Sequence, residues 1–343
     1  MPHTAPFRTV SALTIARGRA GHLANVIRGL ANQTQLPVEL LIGVMQPRPY
    51  IDLPEAPFPV RQIHIPGDEL PLALARNTVA REALSEVLTF VDVDCIPAPT
   101  LIADYASACA PGAGLMMGEV LYLPGGATEA GLDFDHFDAV GVKHSDRQGP
   151  PARPIERCGD YRCFWSLNFA MHSEDFAASG GFDERFRGYG GEDTDFGRTL
   201  QSAGIAMNWM RGARVYHQYH PHHMPPVHHI DSVIRNANLF ALKWGHRTME
   251  HWLYAFGLMG LIRSTPAGLQ VLRAPNDADF ALCSQQSHMP YATAHRIIDL
   301  LHARQAAAAA PANESRRPGA GVEAARTTEV EAAQKSMLLR AAE

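Results

Sequence analysis

Short apolar runs alternate with helical segments early in the chain, and this alternation constrains the fold more than any other feature. Residues 9–16, 38–45 and 87–94 are typical of buried strands, and residues 59–65 predict a weaker one. Apolar residues at helical spacing follow the first run, and residues 72–84 predict a second helix. Strands that alternate with helices favour a largely parallel, Rossmann-like sheet flanked by helices. The predicted fold class is therefore α/β.

Composition divides the chain into three parts. Residues 1–225 form the predicted α/β domain, and residues 226–303 predict a helical C-terminal extension. Residues 304–343 are Ala-rich and cannot build a core, so they predict a disordered tail. The most apolar run, residues 252–262, is too short to span a bilayer and favours a packed helix, with contact at a membrane surface as the alternative.

Charge and cysteine usage exclude several classes of protein. The formal net charge of -5 does not suit a general nucleic-acid binder. Five cysteines without a C-x-x-C disfavour a zinc cage or a disulfide framework and indicate a reducing compartment. The N-terminus has no apolar stretch of the kind that signal peptides carry, so we expect a cytoplasmic protein.

Asp92 and Asp94 stand at the end of the predicted strand TFVDVD. Residues i and i+2 of an extended chain point the same way, so both carboxylates can reach one ligand. Ligands of open α/β sheets sit beyond the carboxyl ends of the strands. Two acids at that place suit a divalent cation that holds a diphosphate. The alternative is a solvated turn after a strand, because D-x-D alone is a weak motif.

Three arginines lie near the ends of early elements. Arg17 and Arg19 follow the first strand, and Arg76 stands early in the second helix. The arginine fork suits phosphate, although each residue taken alone fits a surface position equally well. Their shared side of the sheet, together with Asp92 and Asp94, indicates a nucleotide pocket.

The segment FRGYGGEDTDFGRTL places Gly190 and Gly191 directly before Glu192, Asp193 and Asp195. Acids stabilise a helix start through the macrodipole, which is the structural interpretation. The catalytic interpretation is that glycine lets the backbone approach a substrate while a carboxylate faces it.

Six histidines crowd the segment RVYHQYHPHHMPPVHH. Most of them fit surface or loop positions. His217 differs because it follows a short apolar run, which predicts a small edge strand that could bring one imidazole to the cation.

The order of these motifs resembles the GT-A-fold glycosyltransferases, in particular the family 2 and β-1,4-galactosyltransferase-like enzymes. The resemblance covers roughly residues 9–220 and is strongest over residues 180–200. It implies a GT-A fold whose nucleotide-sugar half spans about residues 1–100 and whose acceptor half spans about residues 101–225.

The resemblance also implies an activity. It is metal-dependent transfer, with inversion, of a UDP-linked hexose or N-acetylhexosamine to a glycan or glycolipid hydroxyl, in the cytoplasm or peripherally on the inner face of a membrane. The implied cofactor is Mn²⁺ or Mg²⁺. A nucleotidyltransferase and a catalytically silent nucleotide- or sugar-binding module are the alternatives.

The resemblance assigns roles residue by residue. Asp193 matches the catalytic base. The acceptor-binding residues it implies are Glu192, Tyr189, Gly190 and Gly191, where Tyr189 replaces a tryptophan of the galactosyltransferases. The donor-binding residues are Arg17, Arg19, Arg76, Asp92 and Trp165, of which Trp165 fits the core equally well. The metal ligands are Asp94 and His217.

Overall fold

Strands and helices alternate through the first part of the chain, as the apolar runs predict. The computed structural model describes residues 8–285 and 288–309. The elements of this part are β1 (Val10–Ala16), α1 (Ala20–Ala31), β2 (Glu39–Val44), β3 (Val60–His64), α2 (Leu72–Glu82), β4 (Val87–Val91), β5 (Cys95–Pro97) and α3 (Leu101–Ala108).

Short strands and helices fill the middle of the chain, and helices dominate its end. The middle elements are β6 (Leu115–Met117), β7 (Val120–Tyr122), α4 (Phe134–Val140), β8 (Ile155–Cys158), β9 (Asn168–His172), α5 (Ser173–Ser179), α6 (Glu192–Ser202), β10 (Met207–Met210) and β11 (Val215–His217). The last elements are α7 (Ile230–Trp244), α8 (Glu250–Leu258), β12 (Ile262–Thr265), β13 (Gly268–Val271), α9 (Asp277–Cys283) and α10 (Ala294–Ala309).

An eight-stranded sheet forms the centre of the molecule, in the order β3-β2-β1-β4-β9-β6-β10-β8. The pairs β3-β2, β2-β1, β1-β4 and β6-β10 are parallel, whereas β9 and the edge strand β8 run antiparallel to their neighbours. A smaller sheet, β5-β11-β7, lies beyond the end of β4 and carries His217. The predicted α/β class, with a mostly parallel sheet flanked by helices, is confirmed.

The core lies on both faces of the large sheet. Every residue of β1 is buried, and alternate side chains enter different clusters. Ala12 packs with Leu23 of α1 on one face, and Leu13 packs with Val79 of α2 on the other. Since each buried Leu or Val contributes roughly 1.5–3 kcal/mol of transfer free energy, this two-sided burial holds the strand ends in place.

Two predictions about strands are wrong. The run at residues 87–94 does not stay extended to its end, because β4 stops at Val91 and the amide of Cys95 donates to the carbonyl oxygen of Asp92 at 2.9 Å. Asp92 and Asp94 therefore lie on a tight turn. The apolar run at residues 205–210 predicts an edge strand, but β10 lies between β6 and β8 and is internal to the sheet.

The C-terminal region contains helices α7 to α10 and the hairpin β12-β13. Its own apolar cluster includes Val233 of α7 and Phe256 of α8, and Tyr189 packs against that cluster. The apolar run at residues 252–262 forms part of α8 and the first residue of β12.

Residues up to His302 form one compact unit. Helix α10 continues to Ala309, beyond the predicted start of the tail at residue 304, and residues 310–343 lie outside the described residues. None of the helices in the described ranges is long and apolar enough to cross a membrane.

Candidate active site

Asp94, His217 and His220 form a cluster that we call the metal trio. One ligand atom of each lies within 4.8 Å of the others. Nε2 of His217 is 3.6 Å from Oδ1 of Asp94, and Nε2 of His220 is 3.3 Å from Oδ2. Strand register creates this proximity, because the antiparallel pairing of β11 with β5 sets His217 opposite Cys95. The amide of Gln218 also donates to the carbonyl oxygen of Asp94 at 2.6 Å.

The ionisation states of the metal trio suit a cation. Burial lowers the pKa of His217 to about 4, so its imidazole is neutral near pH 7 and can donate a lone pair. Burial opposes the charge of Asp94, but His217, His220 and Arg19 together hold its pKa well below its ordinary value. Within the described chain, Nδ1 of His217 is buried without a hydrogen-bond partner, and the ring stacks on Tyr122 at 4.6 Å.

His220 is the member of the metal trio that the sequence interpretation missed. It follows β11 in a loop and has no strand pattern around it. The sequence feature that could have identified His220 is its spacing, since it stands three residues after His217 at the end of a short strand.

Arg19 meets the metal trio, and Arg17 does not. Arg19 lies in the left-handed region, with φ at 51°, and its Nη1 donates to Oδ2 of Asp94. Its Nη2 lies 3.4 Å from Nδ1 of His220. Arg17 is exposed and donates to the carbonyl oxygen of Asp68 at 3.2 Å.

A buried arginine links the two acidic segments. Arg76 is 4% exposed; its Nη1 lies 3.1 Å from Oε1 of Glu192, and its Nη2 lies 3.6 Å from Oδ1 of Asp92. Burial raises the pKa of Asp92 to about 7, against the lowering effect of Arg76. Oε2 of Glu192 is buried and has no hydrogen-bond partner in the described ranges. The two contacts of Arg76 bring Asp92 and Glu192 to one place, although 100 residues separate these acids in the sequence.

Asp193 faces the same region. Burial raises the pKa of its carboxyl to about 7, and the neighbouring Glu192 adds to the shift. Its Oδ1 accepts a 2.7 Å hydrogen bond from the amide of Thr194. Burial also raises the pKa of Tyr189, and Glu192, Asp193, Asp92 and Asp94 add to that effect. The negative charges of both segments therefore act on one tyrosine hydroxyl.

Tyr189 is held by aromatic stacking. Its ring lies 4.9 Å from His229 and 5.9 Å from Trp252, both nearly parallel to it. Gly190 and Gly191 follow with φ at 92° and 90°. A Cβ on Gly190 would lie 2.7 Å from Sδ of Met249, so packing of α8 accounts for this glycine without any substrate.

Asp195, the third acid of the segment, contacts helix α7 and not Arg76 or Thr194. It is fully buried, and its carboxylate accepts from Nε1 of Trp244 at 2.7 Å and Nζ of Lys243 at 2.8 Å. These bonds fasten the start of α6 to the end of α7.

Trp165 is half-buried and does not belong to the core, which its neighbour Phe164 fills. Its ring meets His144 edge-on at 5.2 Å. Tyr122 lies 5.4 Å from His144 and stacks on His217, so an aromatic chain connects Trp165 with the metal trio.

Comparison with known proteins gives a partial match. A family model described as the N-terminal domain of galactosyltransferase matches residues 152–223. This range includes the acidic residues of the GGEDTD segment and the two histidines of the metal trio. Two proteins of Streptomyces hygroscopicus, subsp. jinggangensis (strain 5008) and subsp. limoneus, both named validoxylamine A glucosyltransferase, are 26% identical over 199 residues. These matches cover 50% of this chain and 44% and 41% of the relatives, so the alignment spans less than half of each relative's length.

Solved structures are more distant. The crystal structure of GalNAc-T7 with UDP, GalNAc and Mn²⁺ has a TM-score of 0.47 and 17% identity, over 62% of this chain and 44% of that one. The crystal structure of S. aureus TarS has a TM-score of 0.45 and 11% identity, over 73% and 43%. The family-model match and the glucosyltransferase relatives confirm that this chain resembles the glycosyltransferases, as the order of its motifs predicts.

Proposed function

We propose that the protein is a metal-dependent, inverting glycosyltransferase that moves a hexose or N-acetylhexosamine from a UDP-sugar to a hydroxyl of a glycan or glycolipid. The observation that carries the proposal is the convergence of three groups. They are the metal trio, the Asp92–Arg76–Glu192 chain and the carboxyl of Asp193. The glucosyltransferase relatives support a hexose donor.

The metal trio supplies the ligands for the cation. One carboxylate and two imidazoles suit Mn²⁺ better than Mg²⁺, which prefers oxygen ligands. Nε2 of His217 is the ring nitrogen that lies 3.6 Å from Asp94, so it is the one that we assign to the cation. A bound divalent cation would act as a Lewis acid on the departing diphosphate. Since Arg19 contacts Asp94 and His220, it would give up at least part of these contacts and turn towards the phosphates.

Asp193 acts as the base in this proposal. As the acceptor oxygen bonds to the anomeric carbon, its proton passes to the Asp193 carboxylate. The bond between the anomeric carbon and the phosphate oxygen breaks with its electron pair on the leaving diphosphate. A base is most effective when its pKa lies near the working pH, and burial brings the pKa of Asp193 to about 7.

The neighbouring residues position the two substrates. Arg76 is held between Asp92 and Glu192, so its guanidinium is fixed at the boundary of the donor and acceptor sites. Asp92 and Trp165 would contact the donor, whereas Arg17 would do so only by leaving its contact with Asp68. Tyr189 offers a ring to an acceptor sugar, and the unpartnered Oε2 of Glu192 can accept from a sugar hydroxyl.

The test is a thermal-shift panel of UDP, GDP, CDP and their sugar conjugates, each with and without Mn²⁺. We expect stabilisation by one nucleotide only when Mn²⁺ is present, and turnover with the matching donor. Asp94→Ala should abolish the Mn²⁺-dependent part, and the exposed Asp299→Ala serves as the matched control.

Two outcomes would replace the proposal. Metal-dependent UDP binding without transfer to any acceptor would identify a silent binding module. Release of pyrophosphate from a nucleoside triphosphate would identify a nucleotidyltransferase.

A further inference from the structure

Two free thiols, those of Cys158 and Cys163, meet at the edge of the large sheet. Cys158 is the last residue of the edge strand β8, and Cys163 follows five residues later. The carbonyl oxygen of Asp160 accepts from Sγ of Cys158 at 3.3 Å and from the amide of Cys163 at 3.1 Å. One oxygen therefore holds both cysteines, and the segment CGDYRC forms a tight loop.

Helix α6 holds this loop in place. The carbonyl oxygen of Tyr161 lies so close to the helix that a Cβ on Gly197 would be 2.7 Å from it. The guanidinium carbon of Arg198 lies 5.4 Å from the ring centre of Tyr161. These contacts fix the loop between the two cysteines, so their proximity is part of the folded structure.

The two thiols differ in reactivity. A hydrogen bond between them lowers the pKa of Cys158 to about 7, although burial opposes this shift, and the same contact raises the pKa of Cys163. Because the thiolate is the nucleophile, Cys158 is the thiol of the pair that attacks an oxidant. Burial raises the pKa of the remaining three cysteines, which are Cys95, Cys109 and Cys283.

A small oxidant can reach this pair. Cys158 lines a cavity of about 80 Å³ that opens to solvent. Such a volume has room for several water molecules, and hydrogen peroxide is little larger than one water molecule. Cys163 is half-buried. The nucleophilic thiol therefore lies beside a space that a peroxide can enter.

We propose that Cys158 and Cys163 are a site of reversible oxidation, at which a peroxide closes the pair to a disulfide. Transient disulfides of this kind occur in reducing compartments, where cellular thiols reopen them by exchange. Neither cysteine belongs to the metal trio, and the step does not involve Asp193, so this inference stands without the proposed transfer reaction.

The reaction proceeds in two steps. The Cys158 thiolate attacks one oxygen of hydrogen peroxide; the S–O bond forms, the O–O bond breaks and hydroxide leaves. The sulfur is thereby oxidised to a sulfenic acid and the peroxide is reduced. The hydroxide takes the proton of Cys163, whose thiolate then attacks the oxidised sulfur. The S–S bond forms, the S–O bond breaks, and the departing hydroxide takes a proton from solvent to become water.

Peptide mapping of the full chain tests the proposal. The protein is treated with stoichiometric hydrogen peroxide in EDTA, free thiols are blocked with N-ethylmaleimide, and the chain is digested with trypsin without reductant. Trypsin cleaves after Arg157, Arg162 and Arg185, so the two cysteines fall on separate peptides, residues 158–162 and 163–185. We expect these two peptides to be joined, and dithiothreitol to release them.

Three variants assign the roles of the two thiols. Cys163→Ala should stop at the Cys158 sulfenic acid, which dimedone traps, because the resolving thiol is missing. Cys158→Ala should slow oxidation of Cys163 by at least about tenfold, because the thiolate is lost. Cys283→Ala, which removes a buried cysteine outside the pair, should form the joined peptides at the wild-type rate.

Three results would overturn the proposal. The first is a wild-type digest in which both peptides stay separate and both thiols are still blocked by N-ethylmaleimide. The second is a disulfide that joins Cys158 to a cysteine other than Cys163. The third is closure of the pair no faster in the folded chain than in urea, because the folded loop would then give no advantage. These three results come from the wild-type chain, so a variant that fails to fold does not affect them.

Discussion

Replacing Asp195 with alanine tests whether the third acid of the GGEDTD segment supports the fold and not the chemistry. The Asp195 carboxylate is fully buried and accepts from Trp244 at 2.7 Å and Lys243 at 2.8 Å. Asp195→Ala removes both bonds between α6 and α7. Lys243 keeps its contact with Asp183 at 3.1 Å, whereas the indole N–H of Trp244 loses its acceptor.

The expected loss in the free energy of unfolding follows from these contacts. Each hydrogen bond to a charged group contributes about 1.5–3 kcal/mol. Because Lys243 retains one acidic partner, we expect Asp195→Ala to lower the free energy of unfolding by about 3–4 kcal/mol, near the range for breaking a buried pair. The entropy of unfolding is roughly 2.1 cal/mol/K per residue, so a unit of about 300 residues should lose about 5–6 °C in Tm.

The assay compares Asp195→Ala with Asp193→Ala by calorimetry and by sugar transfer. Asp193 is a matched control, being an acid of the same helix turn whose described hydrogen bonds go only to Thr194. We expect Asp195→Ala to melt earlier yet keep transfer within about threefold at temperatures well below its Tm, since it contacts no proposed substrate group. We expect Asp193→Ala to keep its Tm within about 2 °C and lose transfer.

The opposite pattern would refute the reasoning. If Asp195→Ala kept the wild-type Tm and lost transfer, the Lys243 and Trp244 contacts would not stabilise the fold, and Asp195 would serve the reaction. If both variants lost stability equally, the division of roles between the two acids would be wrong.

Three further predictions concern the same region. Asp193→Asn should lower kcat/KM by about 10²–10⁴, and wild-type kcat/KM should fall as the pH drops below about 7, because the base becomes protonated; a pH–rate profile flat through that range would contradict the role. His220→Ala should weaken Mn²⁺ binding by at least about tenfold in calorimetric titrations, whereas His222→Ala should not; equal effects would remove His220 from the metal trio. Gly190→Ala should cost about 1–3 kcal/mol of stability, measured by denaturant unfolding, and the same change should cost less when it is made in Met249→Ala, which lacks the contact at 2.7 Å; an equal cost in both backgrounds would assign it to the backbone φ alone.

Local sequence patterns predict the parallel half of the sheet well and the rest poorly. The strands β1, β2 and β4 are wholly buried, so each appears as a continuous apolar run. β8 has three exposed residues of four and joins the sheet through backbone pairing with β10. No side-chain pattern indicates such a strand, so the sequence predicts that the sheet ends at β10.

Local sequence patterns also predict only part of the candidate active site. The sequence predicts that Asp94 and His217 meet, and the structure brings them to 3.6 Å. Their roles as metal ligands remain a proposal. The sequence does not predict that His220 joins this cluster. Its position depends on the register of β11 against β5 and on the path of a loop, and no periodic pattern of residues indicates either of them.

Helix geometry explains why three acids can follow two glycines without competing for one place. Successive residues of an α-helix turn by about 100°, so Glu192 and Asp195 lie roughly 60° apart on one side and Asp193 points elsewhere. The burial agrees, with Glu192 at 6% and Asp195 at 0% exposed and Asp193 half-buried. Glu192 thus reaches Arg76 and Asp195 reaches α7, whereas the side-chain hydrogen bonds of Asp193 within the described chain go only to the neighbouring Thr194. The carboxylate that bonds to no other helix or strand is therefore the one that we propose as the base.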